Sequence, residues 1–74
     1  MDIKYIVIEI QTFDGNQVAM LNYDFDDRNL ADSKFYLVMS AAAVSALPRH
    51  AVVLMTNEGQ LLNRGMYKHG TLTE

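Results

Sequence analysis

Seventy-four residues, with six Lys or Arg, nine Asp or Glu and a net charge of −3, make one small domain. The absence of Cys excludes a disulfide scaffold, a thiolate zinc site and thiol catalysis. A pI near 5.1 argues against a broad grip on nucleic acid phosphates, and Lys4, Arg28, Lys34, Arg49, Arg64 and Lys68 are scattered rather than clustered.

Half of the residues are hydrophobic, too many for a disordered chain. No apolar run approaches the ~18 residues that span a bilayer. Met1-Asp2-Ile3-Lys4 lacks the basic-then-apolar order of a signal peptide. The expectation is a cytoplasmic protein with no membrane partner. Chains this short, without disulfides or metal, often rely on a very regular fold or on a partner subunit.

The first element is a strand over Ile3 to Thr12, dense in β-branched residues. Ile6, Ile8 and Ile10 fall on one face; Tyr5, Val7, Glu9 and Gln11 fall on the other. Asp14-Gly15 is a strong hairpin signal, because a two-residue type I′ turn needs positive φ at both central positions. A second strand follows from Gln17 to Phe25. With Phe13 opposite Asn16, Ile10 faces Ala19, Ile8 faces Leu21 and Ile6 faces Tyr23. That register gathers the three Ile with Ala19, Leu21, Tyr23 and Phe25 on one face. A slip by one would set Ile8 against Met20 and Ile6 against Asn22, a less apolar arrangement.

Asp24-Phe25-Asp26-Asp27-Arg28-Asn29 breaks the alternation and reads as a loop and helix start. Asn29 is the expected N-cap, with Asp27 competing. The helix is expected from about Leu30 to Leu47, stopped by Pro48. Ala31, Phe35, Val38, Met39, Ala42 and Ala46 share the face expected against the sheet. The outer side carries Tyr36, Leu37, Ser40, Ala41 and Val44 with hardly a charge, so it too asks for cover.

His50 to Thr56 and Leu61 to His69 form the second strand pair. If Glu58-Gly59 is a two-residue turn, His50 faces Tyr67 and His69 lies diagonally on the same face. If Asn57-Glu58-Gly59 is a three-residue turn with a bulge, His50 faces Met66 and His69 points away. Gly65 within the strand marks a bulge or the close approach of another chain. The fold class is therefore α+β, ββαββ: one helix on an antiparallel four-stranded sheet, a single domain over 1–69 with a frayed tail over 70–74. Strand order is not readable from pattern.

Few features carry chemistry. Asp24, Asp26, Asp27 and Asp32 are dense enough to suggest a hard-cation site, but lack the glycine and distal glutamate of a calcium loop. The simpler reading is a capped helix entry. His50 and His69 could share a zinc ion or a proton, but no third ligand is evident. Ser33, Ser40 and Ser45 sit outside any nucleophile elbow, and the four glycines are isolated. No catalytic residue, metal ligand or cofactor is assigned, and the chain reads as a non-enzyme.

Three stretches carry a resemblance: Tyr5-Ile6-Val7-Ile8-Glu9-Ile10-Gln11; the segment from Asp26-Asp27-Arg28-Asn29 to Ala31-Asp32-Ser33-Lys34-Phe35-Tyr36; and Ser40-Ala41-Ala42-Ala43-Val44-Ser45 through Pro48 and His50. Across most of its length the chain resembles small proteins encoded in phages and prophages of Gram-positive gut bacteria. That family has no assigned activity, so the resemblance implies a mobile-element origin and transfers no functional residue.

The expected function is that of a small non-enzymatic interaction or assembly protein acting as a homo-oligomer. Its partner is a second copy of itself, with a host or phage protein as a further candidate. The preferred contact is Tyr36, Leu37, Ser40, Ala41 and Val44. The fallback is the sheet face carrying Tyr5, Val7, Val18 and Met20. The alternative is an acidic regulator that uses Asp24, Asp26 and Asp27 against a basic macromolecule. A histidine-based metal protein or enzyme ranks third.

Overall fold

A computed structural model describes residues 3–69. The chain runs β1 (Tyr5–Thr12), β2 (Val18–Phe25), α1 (Arg28–Ala43), β3 (Arg49–Thr56) and β4 (Leu61–Lys68). The strands form one antiparallel sheet in the order β2-β1-β3-β4. The helix carries the chain from edge strand β2 past β1 to the second central strand, so it lies across one face of the sheet. The expected α+β, ββαββ architecture is the one observed. The tail expected over 70–74 lies outside the described residues. Among the described residues no helix is long and apolar enough to cross a membrane.

The core forms where helix and sheet meet. Val7, Val52 and Leu54 from the central strands pack with Ala31, Phe35 and Val38 of α1, and Tyr5, Tyr23, Phe25, Met39 and Leu62 close around them. Ala42 is buried further along the helix. Ala31, Phe35, Val38 and Ala42 recur at three- and four-residue steps, which is the spacing of one helix face.

The first hairpin takes neither register expected from the sequence. Its turn holds three residues, not two: the Phe13 amide donates to the Gln17 carbonyl, and the Asn16 amide donates to the Phe13 carbonyl. Gly15 and Asn16 both take positive φ, 85° and 65°. Asparagine tolerates this conformation because its short polar side chain bonds locally. The added turn residue changes the parity of the pairing. Ile10 faces Met20, Ile8 faces Asn22 and Ile6 faces Asp24, while Val7 faces Tyr23 and Tyr5 faces Phe25.

The expectation for β1 is therefore inverted. Tyr5 and Val7 turn toward the helix, and Ile6, Ile8 and Ile10 line the far side. Ile8 is half-buried rather than a core residue. The expectation for β2 holds in part: Tyr23 and Phe25 do face the core, whereas Leu21, on the same side, is 43 % exposed. The observed register brings the two aromatics of β2 onto the same side as Tyr5 and Phe35, and cross-strand aromatic pairing stabilises that choice.

The helix also differs at its ends. Asp27, not Asn29, is the N-cap, and its carboxylate accepts from the Asn29 amide at 3.1 Å. The helix stops at Ala43, four residues short of the expected end. Val44 and Ser45 donate to Ala41 and Ala42, three residues back, which tightens the last turn. The Ser45 hydroxyl then accepts from the Leu47 amide and starts the link into Pro48. Ala46, expected against the sheet, lies beyond the helix and is exposed. The residue before a proline must leave the α region, and β3 begins directly after it, so the chain needs these residues to turn.

The second hairpin combines the two alternatives. Its turn is the three-residue one: the Thr56 amide donates to the Gln60 carbonyl, and the Gly59 amide to the Thr56 carbonyl. A register shift at Leu54/Met55 then restores the other pairing, so that His50 faces Tyr67. Gly65 faces Val52 on the helix side, and a Cβ there would run into the sulfur and methyl of Met39. The close approach expected at Gly65 is thus to the protein's own helix.

Candidate functional site: the open face of the sheet

Alternation along four strands divides the sheet into two faces. In β3 the buried residues are His50, Val52, Leu54 and Thr56, which face α1; Arg49, Ala51, Val53 and Met55 are half-buried and face away. Registers on both sides extend this second face. The row through Ala51 is Met20, Ile10, Ala51, Met66. The row through Val53 is Asn22, Ile8, Val53, Arg64, and the row through Met55 is Asp24, Ile6, Met55, Leu61. The remaining row is Val18, Thr12, Arg49, Lys68.

Among the described residues no other element packs on this face. Its centre is Ile6, Ile8, Ile10, Ala51, Val53 and Met55, and its edges expose Val18, Met20, Leu61 and Met66. The Ile side chains are half-buried only through their neighbours in the sheet. Charge is confined to the periphery: Asp24 on β2, and Arg49, Arg64 and Lys68 on β3 and β4. An apolar centre with charge at its corners resembles the anatomy of a protein interface, and an apolar patch of a few hundred Å² is at the upper end of what soluble monomers leave bare. Of the fallback face named from the sequence, Val18 and Met20 are in this surface; Tyr5 and Val7 are in the core instead.

The preferred helix residues are also exposed. Tyr36, Leu37 and Val44 keep 61 %, 64 % and 86 % of their surface, and Ser40 and Ala41 lie between them. This stripe is on the opposite side of the molecule from the open sheet face. It is narrower, and it includes small residues that add little apolar area.

The acidic cluster does not converge on one point. Asp27 caps α1, Asp26 pairs with Lys4, and Asp32 pairs with Arg28 one helical turn back at 3.1 Å. Asp24 stands apart at the corner of the open face. Among the described residues no group of three or more His, Cys, Asp and Glu is placed to hold a metal ion.

The histidines share the helix side of the sheet but engage different partners. His69 Nε2 meets the Ala42 carbonyl at 2.7 Å near the end of α1, and its ring stacks on Tyr67. His50 is 4 % exposed, and its Nε2 lies 2.6 Å from Glu9 Oε2. Gln11 donates to the same carboxylate oxygen at 3.1 Å. His50 Nδ1 is buried with no hydrogen-bond partner among the described residues.

Glu9 fixes the orientation of the His50 ring through Nε2. The sequence reading missed this pair because it placed Glu9 on the outer side. Glu9 and His50 become diagonal neighbours only through the β1–β3 register, in which Gln11 faces His50.

Compared with family models, with curated proteins and with solved structures, the chain matches none.

Proposed function

We propose that this chain is a small non-enzymatic assembly protein that works as a homo-oligomer. The observation that carries this reading is the open sheet face, where six apolar residues from the two central strands have no covering layer among the described residues. Burying apolar area contributes about 25 cal/mol per Å², so leaving such a face in water forgoes several kcal/mol that association would recover. Closed two-fold symmetry is the most common way to cover a patch, because one surface serves both subunits.

The helix stripe of Tyr36, Leu37, Ser40, Ala41 and Val44 offers a second contact on the other side. With two such surfaces, one chain has the means to bridge two neighbours. The resemblance to phage-encoded proteins favours a cytoplasmic mobile-element product, with a host or phage protein as a further partner at the helix stripe. An acidic regulator finds less support, since Asp26 and Asp27 are occupied within the chain.

Sedimentation equilibrium over a range from one to several hundred micromolar (roughly the span in which weak dimers form) tests the reading. An oligomer is expected. A mass fixed at the 8.4 kDa of a single chain throughout that range would refute it.

A further inference from the structure

The geometry points to one mode of association: two copies stack sheet face to sheet face, their strands crossed, with Asp24 of each copy against Arg49 and Lys68 of the other. This rests on the self-association reading and specifies its surface, its symmetry and its charge pairs.

The area fits. Four strands about 4.8 Å apart and eight residues long, at about 3.4 Å each, cover roughly 500 Å² per copy. Crossed strands overlap over only part of that area, roughly 400 Å² per copy and about 800 Å² for two, which is the low end for interfaces and suits a weak dimer. The helix stripe has one helix's width and cannot supply as much.

The charges choose the orientation. Asp24 occupies one corner of the face, on β2 beside Ile6. Arg49 and Lys68 pair with each other at the diagonally opposite corner, on β3 and β4. A two-fold axis lying in the plane of the face and perpendicular to that diagonal carries each corner onto its opposite. Aligned stacking, with the axis along the strands, instead sets Asp24 over Leu61 and Val18 over Lys68. The same axis passes beside Arg64 on edge strand β4, so Arg64 of one copy meets Arg64 of the other at the wet rim, where salt screens their repulsion.

Side-chain size agrees with the charges. On the regular spacing of the strands, the same axis lays Ile8 of one copy over Ala51 of the other. Ala51 is the smallest residue in the middle of the face, so Ile8 meets a depression there. Crossed packing of two sheets at near right angles is one of the two stable ways that sheets stack. The resulting dimer keeps both helices outside.

The experiment is a charge exchange read by sedimentation at fixed concentration. One variant is Asp24→Lys; the other is Arg49→Asp with Lys68→Asp. Each alone places like charges at both corner contacts and is expected to raise its dimer Kd by about tenfold or more. Mixed in equal amounts they regain opposite charges at both corners, and a heterodimer of near wild-type affinity is expected. All three positions are on the rim of the face, and circular dichroism checks that each variant folds.

Val53→Asp and Leu37→Asp supply the second arm. Val53→Asp should give a monomer, and Leu37→Asp should leave the dimer intact. If wild type oligomerises but Leu37→Asp alone splits it, the helix is the contact, and this inference fails while self-association stands. If Val53→Asp splits it but both charge variants dimerise like wild type, the crossed arrangement is overturned. A monomeric wild type removes the inference and the self-association reading together.

Discussion

On the helix side of β3, His50, Val52, Leu54 and Thr56 are buried; on the far side of the same strand, Arg49, Ala51, Val53 and Met55 are only half so. In β1 only Val7 is buried and both faces are otherwise half-buried, and its more apolar set, Ile6, Ile8 and Ile10, is the one left without a helix. The side that the helix covers is thus not the side with more aliphatic carbon. It is the side where β2 contributes Tyr23 and Phe25, where β4 contributes Gly65, and where Glu9 can reach His50. A helix docks where shape and polar pairing allow it, and aliphatic residues on the remaining face stay available to another chain.

The largest expected difference between the two faces is at Phe35 and Ile8. Phe35 is 2 % exposed and sits at the centre of the helix–sheet core. Phe35→Ala should destabilise by ~3 to 5 kcal/mol, enough to unfold much of a domain this small. Ile8→Ala removes a half-buried side chain and should lower the stability of the isolated chain by about 1 kcal/mol. Urea denaturation of both variants at micromolar concentration checks the pair. Equal losses would mean that the open face is as well packed as the core.

Next in size is the polar pair on the covered face. Glu9→Ala takes the partner from His50 Nε2, leaving a buried ring with neither nitrogen bonded. An unsatisfied buried group costs about 1 to 3 kcal/mol. Glu9→Gln keeps an acceptor oxygen at the same reach and should recover most of the loss. Identical denaturation midpoints for the Ala and Gln variants would show that the bond to His50 is not what stabilises the site.

Much of this contrast was readable in advance, and the unreadable parts share a cause. Ala31, Phe35, Val38 and Ala42 announce themselves by helical spacing, and the four strands by alternation and turn residues. A period of two, however, cannot say which face is inside when both are apolar, as in β1. That choice passed to the number of residues in one turn, and Asn16 at φ 65° is a local matter that pattern does not reveal. Strand order was equally hidden, and with it the approach of Glu9 to His50. The interior bonds of the acidic loop were half legible: Asp27 was named as a competing cap, whereas Lys4 reaching Asp26 needs the β1–β2 pairing.

A smaller effect is expected at Gly65, where the covered face has no room. A Cβ there meets the thioether end of Met39, a flexible group that can move. Gly65→Ala should therefore cost only about 1 kcal/mol, at the lower end of overpacking effects. Combined with Met39→Ala, the added methyl fills space that the truncation has opened. The double variant should lose less than the sum of the two single losses. Strict additivity in a double-mutant cycle would place Met39 away from Gly65 in solution.

The smallest effect is expected where the two faces are decided, at the first turn. Deleting Asn16 leaves Asp14-Gly15 alone between Phe13 and Gln17, residues that already pair. Asp-Gly is among the best sequences for a two-residue type I′ turn, whose twist matches that of the strands. The shorter turn therefore preserves the whole register of β1 against β2, and with it the division into covered and open faces. Stability should change by less than about 1 kcal/mol, since loop closure depends weakly on length. Hydrogen exchange at the amides of β2 checks this: protection should persist without Asn16. A general loss of protection there would mean that the third turn residue is needed to hold the register of the sheet.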